Sequence, residues 1–107
     1  MAKNLELVLL LDCYGELLTD RQRDLAELYY NEDLSLSEIA QMRDITRQAV
    51  RDSLRHSESL LLSTEQKLGM AERIRAMRRC LEAIRQSCDN GQTGQIPELV
   101  QKGLELL

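Results

Sequence analysis

The sequence has few aromatic side chains: it contains no phenylalanine, no tryptophan and three tyrosines in 107 residues. Apolar residues nevertheless make up 43% of the chain, so a hydrophobic core must be built mainly from Leu, Ile, Val, Met and Ala. Strands favour β-branched and aromatic residues, whereas straight-chain and small apolar residues suit packed helices. We therefore predict an all-α protein that is long enough to bury a real core.

Residues that carry out catalysis or bind metals are also scarce. His56 is the only histidine, so no base is placed beside a nucleophile, and the five glycines are too scattered to form a phosphate-binding loop. The cysteines are odd in number and form no C-x-x-C pair, so we expect reduced core thiols and no metal site. The sequence thus predicts neither an enzyme nor a cofactor-binding protein. The cysteines are Cys13, Cys80 and Cys88.

Long hydrophobic runs are absent. The apolar stretch LELVLLLDCY, residues 5–14, is interrupted by charge and is far shorter than the roughly 20 residues that a membrane span needs. The stretch also lacks a basic leader and a small-residue cleavage site. We therefore expect a cytoplasmic protein with no membrane partner.

Basic charge is concentrated in short segments, although the net charge is −4. Residues 1–35 carry eight acids and three bases, residues 36–57 three acids and four bases, and residues 58–107 seven of each. Proteins that bind duplex DNA usually present a basic surface to its phosphates. Here only residues 36–57 and a secondary basic patch offer one, so any contact with nucleic acid must be local or weak. The patch consists of Arg73, Arg75, Arg78 and Arg79, although solvated arginines beside a helical seam are the commoner occurrence.

The segment LSEIAQMRDITRQAVRDSL, residues 36–54, has the apolar spacing of two short helices joined by a tight turn. Ile39 and Val50 are placed to face a core. We expect Asp44 to take a left-handed backbone conformation, and Thr46 to offer its hydroxyl to the unpaired N–H groups of the second helix. The segment is a helix-turn-helix candidate.

The second helix of this candidate would present polar side chains where nucleic-acid readers of this type contact their target. Asp52 lies at the centre of that face, where phosphates would repel its carboxylate, although the carboxylate can also accept a hydrogen bond from cytosine. An ordinary solvated face with helix-surface pairs fits the same residues, so both interpretations stay open. The predicted contact residues are Thr46, Arg47, Gln48, Arg51 and Arg55.

Two further helices are predicted before the candidate motif, over residues 4–17 and 20–31. Capping boxes mark the starts of the second helix and of the helix that follows it, because a Ser or Thr is followed three residues later by Gln or Glu. These pairs are Thr19 with Gln22 and Ser35 with Glu38. The buried face predicted for the first helix contains Leu5, Val8, Leu9, Asp12 and Tyr14.

After Gly69 the apolar residues repeat in alternating steps of four and three, which is typical of a heptad seam. Such a seam packs either inside a monomer or against a second copy in an isologous homodimer. We predict a helix-turn-helix domain over residues 1–68 and a helical extension over residues 69–107, packed on that domain or on a second subunit. The seam consists of Met70, Ile74, Met77, Leu81, Ile84 and Cys88. A terminal helix starting at Pro97 is expected to cover apolar surface with Leu99, Val100, Leu104 and Leu107.

The run LLTDRQRDLAELYYNEDLSLSEIAQMRDITRQAVRDSLRHSESLL, residues 17–61, closely resembles the YlxM family of bacterial proteins, which is itself similar to the promoter-reading C-terminal domain of sigma factors. The resemblance extends over residues 5–68. It implies an all-α, sigma-like helix-turn-helix protein that modulates the signal recognition particle pathway by binding the particle's RNA and GTPase. Regulation through DNA binding is the older inference. The resemblance points to Thr46, Arg47, Gln48 and Arg51 as contact positions.

The chain departs from the family pattern at three positions. Asp44 replaces the expected turn glycine, and Arg51 stands where the family tends to have an aromatic residue. Ala49 lacks the basic side chain of the sigma-like template, which weakens the case for promoter reading.

Three functions are compatible with these observations. The first is an accessory protein of the signal recognition particle that binds its RNA, its GTPase or both. The second is a dimeric transcription regulator that reads DNA, and the third is a module that binds only proteins. We favour the first, because the acidic N-terminal third and Asp52 disfavour tight binding to duplex DNA.

Overall fold

The computed structural model describes residues 4–107, so the first three residues of the predicted domain 1–68 lie outside the described range. The described chain forms helices and contains no strand, which confirms the all-α prediction. No helix in this range combines the length and the apolar content that crossing a bilayer requires. The chain divides after Leu68 into two compact units. The helices are α1 (Leu5–Tyr14), α2 (Asp20–Tyr30), α3 (Leu36–Arg43), α4 (Arg47–Leu68), α5 (Met70–Asp89) and α6 (Ile96–Glu105), with short 3-10 turns at Gly15–Leu17 and Thr93–Gln95.

Both predicted capping boxes are present in the first unit. The hydroxyl of Thr19 accepts a hydrogen bond from the Gln22 N–H at 3.2 Å, and the Gln22 side chain accepts one from the Thr19 N–H at 3.0 Å. Ser35 and Glu38 form the same reciprocal pair at 3.1 and 3.0 Å. Each cap satisfies N–H groups that have no partner within the helix. Helices α2 and α3 therefore begin where the sequence predicted.

Helix α4 is the central helix of the first unit, since α1, α2 and α3 all contact it. Each of these three helices contributes a fully buried aliphatic side chain to the core, Leu10, Leu25 and Ile39 respectively. The buried residues of α4 recur in steps of four and three along one face, as expected for an amphipathic helix. They are Val50, Leu54, Ser57 and Leu61.

Two tyrosines join neighbouring helices to carboxylates of α4. The hydroxyl of Tyr14 donates a hydrogen bond to Glu65 at 2.6 Å, and the hydroxyl of Tyr30 donates one to Glu58. Burial, assisted by the bond to Glu58, raises the pKa of Tyr30 above its ordinary value. Both rings are buried while their polar ends remain satisfied. The two tyrosines therefore connect α1 and α2 to α4.

The predicted buried face of α1 is wrong in part. Tyr14 is buried as expected, but Leu5 and Asp12 are exposed, and α1 ends at Tyr14 rather than at residue 17. The segment is apolar on almost all sides, so its sequence pattern does not indicate which face is buried. Packing against α4 decides which face it is. The residues of α1 that are buried beside Tyr14 are Leu7, Leu10 and Leu11.

In the second unit, α6 packs against α5 through small side chains. A methyl group added at Gly103 would lie 3.4 Å from Cys80 Sγ and 3.5 Å from Met77 Sδ. The Cys80 thiol donates a hydrogen bond to the carbonyl oxygen of Leu99 at 2.8 Å. The missing side chain of Gly103 thus lets the backbone of α6 come close to α5.

Large apolar residues of the second unit stay exposed, which corrects the prediction for the terminal helix. Leu99 is half-buried, whereas Val100, Leu104 and Leu107 are exposed, because α6 uses Gly103 rather than these side chains against α5. Helix α6 also begins at Ile96, one residue before Pro97. Most of the seam is likewise uncovered by α6. Its exposed members are Met70, Ile74, Leu81 and Cys88.

None of the three cysteines, which all lie within the described range, forms a disulfide, but they differ in burial. Cys80 is buried as predicted, while Cys13 is half-buried and Cys88 is exposed. The expectation of core thiols is therefore wrong for Cys88, which lies on an exposed side of α5 although its neighbour Ser87 is buried.

Candidate nucleic-acid interface

The chain turns a corner between α3 and α4, as the helix-turn-helix prediction requires. Helix α3 ends at Arg43, and Asp44 adopts the left-handed conformation with φ 55° and ψ 47°. The N–H of Ile45 donates to the carbonyl oxygen of Ala40 at 3.0 Å, which satisfies a carbonyl at the end of α3. The hydroxyl of Thr46 accepts a hydrogen bond from the Ala49 N–H at 3.0 Å and caps α4. The corner and its cap are thus confirmed.

Three arginines follow the corner along one side of α4, and we call them the arginine flank: Arg47, Arg51 and Arg55. They are four residues apart, which separates successive members by about 6 Å along the helix axis. Arg47 and Arg55 are exposed and Arg51 is half-buried. Within residues 4–107, none of the three has a carboxylate within ion-pair distance. The flank therefore presents three charges that are not neutralised by described neighbours.

Beside the arginine flank, two polar side chains of α4, Gln48 and Asp52, form a hydrogen bond with each other. We call this pair the crest. Gln48 donates through Nε2 to Asp52 Oδ1 at 2.8 Å, and both side chains are exposed. This bond points the carboxylate of Asp52 at the Gln48 amide and fixes both side chains on the face that the sequence assigned to contacts. Nucleic acid approaching here meets three cations on one side and one carboxylate on the crest, which favours selective over indiscriminate phosphate binding.

An ion pair that the sequence did not predict supports the corner from α2. Arg43 donates to Asp24 from Nε at 2.7 Å and from Nη2 at 2.9 Å. The hydrogen bond from Arg43 lowers the pKa of Asp24, and its charge acts in the same direction. The pair explains why a charged residue ends α3, where an apolar one is usual. Because the two residues are 19 positions apart, no local pattern signals their contact.

The structure separates the secondary basic patch into two parts. Arg75 and Arg79 both lie against Glu72, at 3.1 and 3.5 Å. Arg73 and Arg78 line a different surface, together with apolar residues of α5. The four arginines of the secondary basic patch thus do not form one continuous basic surface.

The described residues offer no arrangement suited to metal binding: no group of three or more His, Cys, Asp or Glu side chains within residues 4–107 is placed to hold an ion. His56 is exposed on α4. The side chains that the arginine flank offers are cations and hydrogen-bond donors.

Comparison with protein families finds a match along most of the sequence. The model of the family UPF0122, described as "Putative helix-turn-helix protein, YlxM / p13 like", matches residues 1–100. The match spans the corner, the whole of α4 and most of the second unit.

Individual relatives agree with this result. A UPF0122 protein of Desulforamulus reducens is 42% identical over 99 residues, which cover 92% of this chain and 85% of the relative. A UPF0122 protein of Clostridium kluyveri is 49% identical over 72 residues, 67% of this chain and 65% of the relative. One from Thermoanaerobacter sp. is 44% identical over 83 residues, 78% of this chain and 71% of the relative. The 99-residue similarity is longer than the first unit and therefore includes part of the second.

Proposed function

Because the chain belongs to the UPF0122 family of YlxM/p13-like helix-turn-helix proteins, we propose that it is a non-catalytic regulator that binds nucleic acid through α4. The observation that carries the proposal is the arginine flank, whose three cations follow a capped corner and have no ion-pair partner among residues 4–107. Cations held on the second helix of such a motif are placed to meet phosphates or base edges. Thr46 and Gln48 are the proposed polar contacts beside them.

We propose further that the target belongs to the signal recognition particle in the cytoplasm: its RNA, its GTPase or both. This finer proposal rests on the resemblance to YlxM proteins. The crest formed by Gln48 and Asp52 disfavours tight binding to long duplex DNA, since a carboxylate on the contact face is repelled by closely spaced phosphates. Structured RNA is recognised largely by shape and phosphate contacts, so three cations beside one acid suit it better.

The test is charge reversal on the flank. The double variant Arg47→Glu/Arg51→Glu should weaken binding to purified signal recognition particle RNA by at least about tenfold, or about 1.4 kcal/mol. Binding is measured by fluorescence anisotropy as a function of salt. The slope of log affinity against log salt should also fall by about one per arginine removed. The matched control is Arg21→Glu/Lys67→Glu, which makes the same change in net charge at two exposed sites outside the contact face.

The same titration decides between the alternatives. Equal losses in the flank variant and in the control would mean that binding is not localised on α4, and the proposal would fail. If random duplex DNA binds more tightly than the RNA under the same salt, the chain is a DNA-binding transcription regulator. If the chain binds only the purified GTPase, and the flank variant binds it equally well, the chain is a protein-binding module instead.

A further inference from the structure

The second unit contains an apolar groove that α6 leaves open along α5. The groove has a volume of about 670 Å³. Its floor is formed by the seam residues Met70, Ile74, Met77 and Leu81, and the end of the chain at Leu106 and Leu107 contributes one wall. Leu81 is 58% exposed and Leu107 is 88% exposed. Exposed apolar side chains gathered along a groove are candidates for an interaction surface.

The rim of the groove is basic. Arg73, Arg78 and Arg85 line it, with Glu82 as the one acidic side chain among the lining residues. Within residues 4–107, Arg78 and Arg85 have no carboxylate at ion-pair distance. The groove thus combines an apolar floor with cations that are available on the side of Arg78 and Arg85.

A second copy of α5 would be a poor occupant. Arg78 and Arg85 occupy equivalent heptad positions beside the seam. In an antiparallel pair of α5 helices, residues at this position face their counterparts, so the two arginines of one copy face those of the other. In a parallel pair, Arg73 of one copy faces Arg78 of the other. Both arrangements bring arginines together, and like charges placed opposite each other disfavour association.

We infer that this groove is a docking site for an acidic amphipathic helix of another protein. Apolar side chains spaced three and four residues apart on that helix enter between Met70 and Leu81, as in helix-in-groove recognition. Glu or Asp residues beside them pair with Arg78 and Arg85, which supplies the charge complementarity that a second copy lacks. The site lies on α5 and is independent of the arginine flank on α4, so it goes beyond the proposed function.

The test uses a displayed library of helical peptides and the full chain. Each peptide carries Leu or Ile at four positions spaced as in a heptad seam, and each flanking position is Glu, Lys or Ser. Selection on the immobilised chain should enrich Glu over Lys at the flanking positions by about tenfold. A synthetic peptide from the enriched pool should bind Arg78→Glu/Arg85→Glu at least about tenfold more weakly, and its Glu-to-Lys counterpart should prefer that variant.

Two controls keep the outcomes distinct. Arg21→Glu/Arg79→Glu makes the same charge change outside the groove and should alter peptide affinity less than about twofold. Helicity of every variant is checked by circular dichroism, and Leu81→Asp should remove binding while remaining folded, because Leu81 is exposed. Absence of any Glu preference would overturn the inference.

Two other results would also overturn it by assigning the groove to a different occupant. One is a homodimer, seen by sedimentation, that Leu81→Asp converts to monomer. The other is an affinity for RNA that falls in Arg78→Glu/Arg85→Glu but not in the control double variant.

Discussion

The two units of the chain bury different kinds of side chain. In the helix-turn-helix unit, described over residues 4–68, large aliphatic residues such as Leu25 and Ile39 are fully buried. In the α5–α6 unit, residues 69–107, the buried positions carry small groups such as Cys80 and Gly103, and large residues such as Leu81 are exposed. Burial of a large aliphatic side chain contributes about 1.5–3 kcal/mol, so the first unit gains far more from its own core. The comparison shows that the second unit is packed mainly through small side chains and leaves large apolar ones on its surface, where the docking site inferred above lies.

The largest expected effect tests this difference directly. Leu25→Ala should lower the unfolding free energy of the helix-turn-helix unit by about 2–5 kcal/mol, because it leaves a cavity among packed helices. Leu81→Ala should change that of the α5–α6 unit by less than about 0.5 kcal/mol, since Leu81 is 58% exposed. Hydrogen exchange read by mass spectrometry reports each unit separately. Similar losses for the two variants would contradict the comparison.

A smaller effect is expected from Tyr30, one of the two tyrosines that connect neighbouring helices to α4 in the first unit. Tyr30→Phe should destabilise this unit by about 1.5–3 kcal/mol, because Glu58 loses a hydrogen bond made to a charged group. Urea unfolding, followed by circular dichroism, measures the change.

The change in the free energy of unfolding at alkaline pH provides a second test of this variant. The pKa of Tyr30 is raised in the folded protein, so the proton is held more tightly there than in the unfolded chain. This contribution is fully present below pH about 10, the ordinary tyrosine pKa, and is lost as pH rises above it. Tyr30→Phe should therefore show a shallower loss of stability above pH 10 than the parent chain. Identical slopes would show that Tyr30 is not protected by the fold.

The smallest effect concerns the turn. Asp44 holds a positive φ of 55° without glycine, whereas Gly69, at the start of the second unit, holds a φ of 63° with one. Asp44→Gly should stabilise the chain by up to about 1 kcal/mol by relieving left-handed strain, partly offset by greater freedom when unfolded. Gly69→Ala should act in the opposite direction, because the backbone conformation is unfavourable for alanine although space for a Cβ is open. Thermal unfolding of both variants checks the signs, and two changes of the same sign would refute the strain argument.

Local signals in the sequence predicted most of the helix-turn-helix unit. Capping boxes located α2 and α3, and the corner at Asp44 followed from the spacing around it, because these features depend on residues a few positions apart. The arginine flank was predicted in the same way, from helical periodicity. The face of α1 was misassigned because its residues are apolar almost all round, so local pattern held no information about it.

Contacts between helices of the first unit depend on a different kind of information. The pair of Arg43 with Asp24, and the bond of Tyr30 to Glu58, join residues far apart in the chain. No periodic pattern encodes such partners. The exposure of the seam could not be predicted either, since a heptad repeat predicts an apolar stripe but not what covers it.

The sequence by itself determined the helical class, the starts of α2 and α3, the turn between α3 and α4, and the stripe of cations that follows it. Each of these depends on backbone propensities and on side chains within about one helical turn of each other. Only the tertiary structure decided that α1 turns Leu7, Leu10 and Leu11 inward, that Gly103 brings α6 onto Cys80, and that the seam of α5 stays open. These outcomes depend on how complementary surfaces fill space, and side-chain volume and close approach are settled only when the helices meet.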